Sequence, residues 1–147
     1  MTNNQLALTR EQVINAEPGT DLNVMVAEHV FNWRRILGPD NDYDGPVEYG
    51  EVLIPPNMSE AHAYAMMPPR GRIPLYIFVN REWSSDMTAA WEVVEKLKVS
   101  QVTRNESGFS HSDLKYRVII GKNQHVAYGD TAPEAICKAA LLAVLDL

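Results

Sequence analysis

The sequence has one cysteine, Cys137, among 147 residues, so no disulfide can form within the chain and a disulfide scaffold is excluded. No apolar run approaches the roughly 20 residues that a membrane-spanning helix needs. Internal repeats and low-complexity tracts are also missing. The opening residues, Met1-Thr2-Asn3-Asn4-Gln5, lack the basic start and apolar centre of a secretory signal, so a reducing cytoplasm is the expected compartment. Basic charge is missing over a long stretch. From Ile36 to Pro69 there is no Lys or Arg, while Asp40, Asp42, Asp44, Glu48, Glu51 and Glu60 fall there. The rest of the chain has 13 acids and 13 bases, so this stretch carries the whole net charge of −6. Phosphate neutralisation supplies most of the affinity of general nucleic-acid binders, so double-stranded nucleic acid is not an expected partner.

What is present is ordinary for a globular chain: 46% hydrophobic and 22% charged residues. The length suits one domain, which we expect to span residues 1–147 with an acidic, proline-rich insertion at about 40–72. Thr9 and Gln12 have capping-box spacing, which predicts a short helix from Arg10 to Ala16, ended by Glu17-Pro18-Gly19. Thr20 or Asp21 can cap a longer helix, Asp21 to Leu37, with Leu22, Met25, Val26, Val30 and Trp33 on one stripe and Gly38-Pro39 as its stop. The periodicity is then lost as far as Arg72. Within that stretch Glu51 to Ile54 reads as a short edge strand and Ser59 to Met67 as one or two helical turns. Met66 and Met67 look like part of an exposed apolar loop. Ile73 to Val79 reads as a buried strand. Ser84 or Ser85 is expected to cap a helix from Asp86 to Leu97, with Met87, Ala90, Trp91, Val94 and Leu97 on its inner face. A strand meander follows: Val99 to Thr103, Leu114 to Ile120 and Gln124 to Tyr128, the last two joined by a tight turn at Gly121-Lys122-Asn123. Thr131, Pro133 and Glu134 start a final helix with so few charges that it must be covered on more than one side. Trp33, Trp91 and Ile136 are expected core residues.

Three segments resemble a known family: Leu22 to Trp33, Ser84 to Leu97, and Gly129 to Ala143, which reads Gly-Asp-Thr-Ala-Pro-Glu-Ala-Ile-Cys-Lys-Ala-Ala-Leu-Leu-Ala. Their order and spacing are similar to the phage ABA sandwich domain. The resemblance implies an α+β fold, a three-layer α/β/α sandwich with a small, mostly antiparallel sheet. It implies phage or prophage origin, hence the cytoplasm of a bacterial host, and no established activity. Residues 40–72 are the part that does not match the family pattern.

Four constellations bear on chemistry. Asp40-Asn41-Asp42-Tyr43-Asp44-Gly45, with Glu51 closing the loop, has the spacing of a calcium loop, so Asp40, Asp42, Asp44 and Glu51 are candidate metal ligands. Gly38-Pro39 before it and Pro55-Pro56 after it deny the loop its usual flanking helices, and a solvated acidic loop is the expected state, with no cofactor. Arg70, Arg72 and Arg81, with Trp83 or Tyr76, could hold a small anionic nucleotide; pairing of these arginines with the acidic segment is the expected alternative. Ser110-His111-Ser112-Asp113 has the residue types of a hydrolytic triad without the strand–turn–helix elbow, and reads as a polar turn. His29 lies on an apolar helix face and is expected to be a hydrogen-bonded core residue; Cys137 is expected to be buried and inert. No catalytic residue is assigned.

These features point to a non-enzymatic phage accessory protein that acts by binding a protein or small molecule. A sponge for a nucleotide immune signal and a calcium-stabilised structural module are the alternatives. The final helix has apolar surface beyond one layer contact, with Leu141, Leu142 and Leu145 left over. This predicts a homodimer unless the first short helix covers them through Val13, Ile14 and Ala16. For the acidic loop, the expected result of adding millimolar calcium is an unchanged melting temperature. A rise that Asp42→Ala with Asp44→Ala abolishes would establish the metal site instead.

Overall fold

Thr131 to Glu134 start the last helix as the sequence predicts. The Thr131 hydroxyl accepts the Glu134 N–H, Pro133 lies in the first turn, and the Glu134 carboxylate reaches back to the Asp130 N–H at 3.1 Å. The computed structural model describes residues 8–37, 51–67, 74–97, 99–104, 115–121 and 123–147. In these the elements are α1 (Arg10–Asn15), α2 (Thr20–His29), β1 (Arg34–Leu37), β2 (Glu51–Ile54), α3 (Glu60–Met66), α4 (Met87–Leu97), β3 (Val99–Arg104), β4 (Tyr116–Ile120), β5 (His125–Gly129) and α5 (Ala132–Leu145). The fold is α+β with small antiparallel sheets, as expected.

Helix α5 is the centre. Every residue from Pro133 to Leu142 is buried. One side lies on the three-stranded sheet, whose order is β3-β4-β5 and which opposes Val118 to Ala127 and Ile120 to His125. Val118, Ile120 and Ala127 are buried with α5 in the main core, the alternation expected of a sheet with one covered face. Helices α1, α2 and α4 pack on α5. Leu141 and Leu142 are therefore fully buried within the chain, with Val13 of α1 beside them in the same core. Leu145 is only half-buried and Ile14 of α1 is 42% exposed, so the cover within the chain is complete for two of the three leucines. Gly129 lets the end of β5 meet the start of α5: a Cβ there would lie 2.8 Å from the Ala135 nitrogen.

Lys138 is only 5% exposed and donates to Glu134 Oε2 and to the Ile14 carbonyl, each at 2.7 Å. This tie fastens α1 to α5 and neutralises both buried charges. A second buried clasp joins the starts of α2 and α4. The Ser84 N–H and hydroxyl both donate to Asn23 Oδ1, and the Gly19 N–H donates to Ser84 Oγ at 2.8 Å. Ser84 is thus not the cap of α4; Asp86 is, accepting the Thr88 N–H. Nor do Thr20 and Asp21 cap α2, because the N-cap is Gly19, whose φ of 115° suits glycine.

Three further expectations are corrected. The helix predicted to reach Leu37 stops at His29: Asn32 adopts φ of 60°, the chain turns, and residues 34–37 become β1, paired antiparallel with β2. Asparagine tolerates that left-handed conformation, and the new partner satisfies the backbone groups that continued helix would have paired. The predicted strand Ile73 to Val79 is a pair of turns over Pro74–Val79, with hydrogen bonds from Ile77 to Pro74 and from Val79 to Tyr76. It borders β2 through the Leu53 N–H to Leu75 carbonyl bond at 2.9 Å. Trp91 is 53% exposed, because α4 buries Ala89, Ala90 and Val93 instead and leaves Met87 and Trp91 outside. The Glu51–Ile54 strand, the Ser59-capped helix and the meander stand as expected.

Strand β2 separates two cores. Leu53 faces the main one, while Val52 and Ile54 join Ile36, Ala63 and Met67 in a smaller one under α3. Met67 is therefore buried; Met66 alone is exposed. Ile136→Ala should cost about 2–5 kcal/mol in urea unfolding, whereas Trp91→Ala should stay within about 1 kcal/mol of the parent. Equal losses would mean the α4 face is misassigned.

Candidate functional site

An open groove of about 840 Å³ runs between α1, α2, the Leu75-Tyr76 turn and the last residues of the chain. Its position follows from the short helices. The α1 helix ends at Asn15, Glu17-Pro18-Gly19 redirects the chain, and α2 then starts at an angle that leaves Ala16, Val24 and Met25 along the trough. Leu8, Leu75, Leu145 and Leu147 complete an apolar lining. The polar groups are Gln12, Asn15, Thr20, Asp21, Glu28, His29 and Arg35.

The Arg35 guanidinium donates from Nε and Nη2 to the two Glu28 carboxylate oxygens at 2.6 and 2.8 Å. Its Nη1 lies 3.6 Å from Glu51 Oε1. The hydrogen-bonded Glu28 carboxylate raises the Arg35 pKa above its ordinary value. His29 Nε2 is 3.8 Å from Glu28 Oε1. Burial dominates over that carboxylate and pushes the imidazole pKa below its ordinary 6.5, so His29 is neutral at pH 7. His29 is thus a half-buried groove residue rather than the core histidine expected. Asp21 is exposed in the first turn of α2, and among the described residues it has no hydrogen-bonding or ionic partner.

The sequence pointed elsewhere. Of the candidate calcium ligands, Asp40, Asp42 and Asp44 lie outside the described residues; Glu51 opens strand β2 with its carboxylate near Arg35. Arg70 and Arg72 also lie outside them, as does Ser110-His111-Ser112-Asp113. Arg81 donates to both oxygens of Glu92, at 3.2 and 2.6 Å, so it pairs with an acid of α4 rather than with the acidic segment. Trp83 is only 3% exposed: its Nε1–H donates to Glu92 at 2.8 Å, Phe31 stacks on it at 5.0 Å, and Trp33 meets it edge-on at 6.3 Å. Its ring has no free face for a base, which corrects the stacking role. Tyr76, the other aromatic considered, is 47% exposed at the groove rim. Cys137 is buried as expected, and burial pushes its thiol pKa well up, so it is inert. Sequence reasoning missed the groove because it carried the helix from Asp21 on to Leu37, which would keep Arg35 from turning back onto Glu28. Asn32, able to break that helix, was the available signal.

The sequence profile of the phage ABA sandwich domain matches residues 24–141. A solved structure, the 2.0 Å crystal structure of a phage protein from Bacillus cereus ATCC 14579, is similar at 27% identity, with a TM-score of 0.51. The match covers 88% of this chain and 95% of that one. No curated protein matches.

The depressed His29 pKa has a pH consequence. The unfolded imidazole binds its proton near pH 6.5 and the folded one only at lower pH, so stability falls as pH drops through and below 6.5. His29→Asn should flatten that part of the stability profile between pH 7.5 and 5.5, measured by urea unfolding against the parent. An unchanged profile would show that His29 is not desolvated.

Proposed function

This chain belongs to the phage ABA sandwich domain family, and from that premise we propose that it is a small non-enzymatic binding module whose binding site is the groove between α1, α2 and the Leu75-Tyr76 turn. The observation that carries this reading is the groove itself. At about 840 Å³, with a mainly apolar lining and a few fixed polar groups, it has the size and chemistry of a small-molecule site. The polar groups serve orientation rather than reaction: Arg35 and Glu28 hold each other in bidentate geometry. Among the described residues, Ser84 is held in the clasp with Asn23 and Cys137 is buried inside α5. Rigid packing of α2 against α5 fixes one wall, and Lys138 fixes α1, the other.

Native mass spectrometry of protein purified from cells tests the proposal. A noncovalent adduct of small-molecule mass is expected on the parent, and it should be lost from Val24→Trp, which fills the trough. Retention of the adduct by a folded Val24→Trp protein would move the site elsewhere, and its absence from the parent as well would remove the main support for a carried ligand.

A further inference from the structure

Resting on that reading of the groove, we propose that its occupant is a small amphipathic organic cation, an ammonium carried on a hydrocarbon or aromatic body. The trough is largely apolar, and its charge selects the sign of the occupant. Three charged side chains line the groove: Asp21, Glu28 and Arg35. Arg35 is held by both oxygens of Glu28 and faces Glu51 at 3.6 Å, so its donors point at acids already present. An incoming anion would have to compete with two carboxylates for that guanidinium, and no other Lys or Arg lines the groove among the described residues. His29 adds no positive charge near neutral pH. Asp21 is different: its carboxylate is exposed, lines the groove and has no partner among the described residues. The uncompensated charge that a ligand meets is therefore negative.

The apolar part of the ligand follows from the rest of the lining. Val24, Met25 and Leu75 offer hydrocarbon and an adaptable thioether, suited to an alkyl chain or ring. Tyr76, 47% exposed, adds an aromatic ring to that lining. A neutral hydrophobic ligand would gain nothing from the exposed Asp21, and an anionic one would be repelled by it.

The test compares three ligands with the same eight-carbon chain, n-octylammonium, n-octanol and n-octanoate, by isothermal titration of the full chain near neutral pH. The site is located by amide NMR shifts. We expect octylammonium to bind at least about tenfold tighter than octanoate, a factor typical of one charge-assisted contact, with shifts at Val24, Met25 and Leu75. Asp21→Asn keeps the shape of the exposed side chain and should erase the preference. Octanoate binding as tightly as octylammonium would overturn the proposal, as would a folded Asp21→Asn protein that retains the preference. If all three bind equally with shifts at those residues, the cation proposal fails while the groove remains a binding site. If none binds and no groove amide shifts, both fail. Were Asp21→Asn not to fold, the comparison of the three ligands on the parent protein would decide alone.

Discussion

A helix that is apolar on every side has to be covered on every side, and α5 imposes that requirement on the whole chain. Ten consecutive residues, Pro133 to Leu142, are removed from water. At about 25 cal/mol per Å² of apolar surface, this is the dominant local term. The sheet β3-β4-β5 covers one side and α1, α2 and α4 cover the others. Where the helix does carry charge, the charge is compensated in place. Glu134 and Lys138 meet at 2.7 Å one turn apart, and each also bonds backbone, Glu134 the Asp130 N–H and Lys138 the Ile14 carbonyl. Those extra bonds matter because a buried ion pair lacking them barely offsets its own desolvation.

The groove is a by-product of that covering. Helix α1 is short, six residues, and reaches only part of the surface beside α2. It is held down by the buried Val13 and by the Lys138 bond to its last turn. The angle between α1 and α2 is set by Glu17-Pro18-Gly19 and by the clasp in which Ser84 binds Gly19 and Asn23. Helix packing and a polar knot thus create a trough that neither helix contains alone. The Glu28–Arg35 pair sits in its wall because α2 stops and the chain turns back as β1.

The second core shows the same economy of pairing. Strand β2 is only four residues, yet three of them, Val52, Leu53 and Ile54, are buried. Alternation sends Leu53 to the main core and its two neighbours to the core beneath α3. A strand covered on both faces gives no exposed polar row, which is why Val52-Leu53-Ile54 reads as a continuous apolar run rather than an alternating one.

Local signals in the sequence determined the elements whose ends are written in side-chain chemistry. Thr9 with Gln12, Ser59, and Thr131 with Pro133 each start a helix where expected, because capping acts within three or four residues. The meander and the burial of α5 were legible for a related reason: a period of two and a helix without a polar face each allow one arrangement. Of the segments that resemble the phage ABA sandwich domain, Gly129 to Ala143 lies in such an element, whereas Leu22 to Trp33 and Ser84 to Leu97 lie in α2 and α4, whose caps the tertiary structure reassigned. Tertiary structure decided what local chemistry left balanced. Residues 34–37 could extend α2 or pair with β2, and the pairing won because it satisfied the backbone and seated Ile36 in the second core. Trp91 could face in or out, and the close approach of α4 to α5 through Ala89 and Ala90 placed it outside. The groove depends on contacts between residues as far apart as Ile14 and Lys138, and no short-range pattern encodes the angle at which two helices meet.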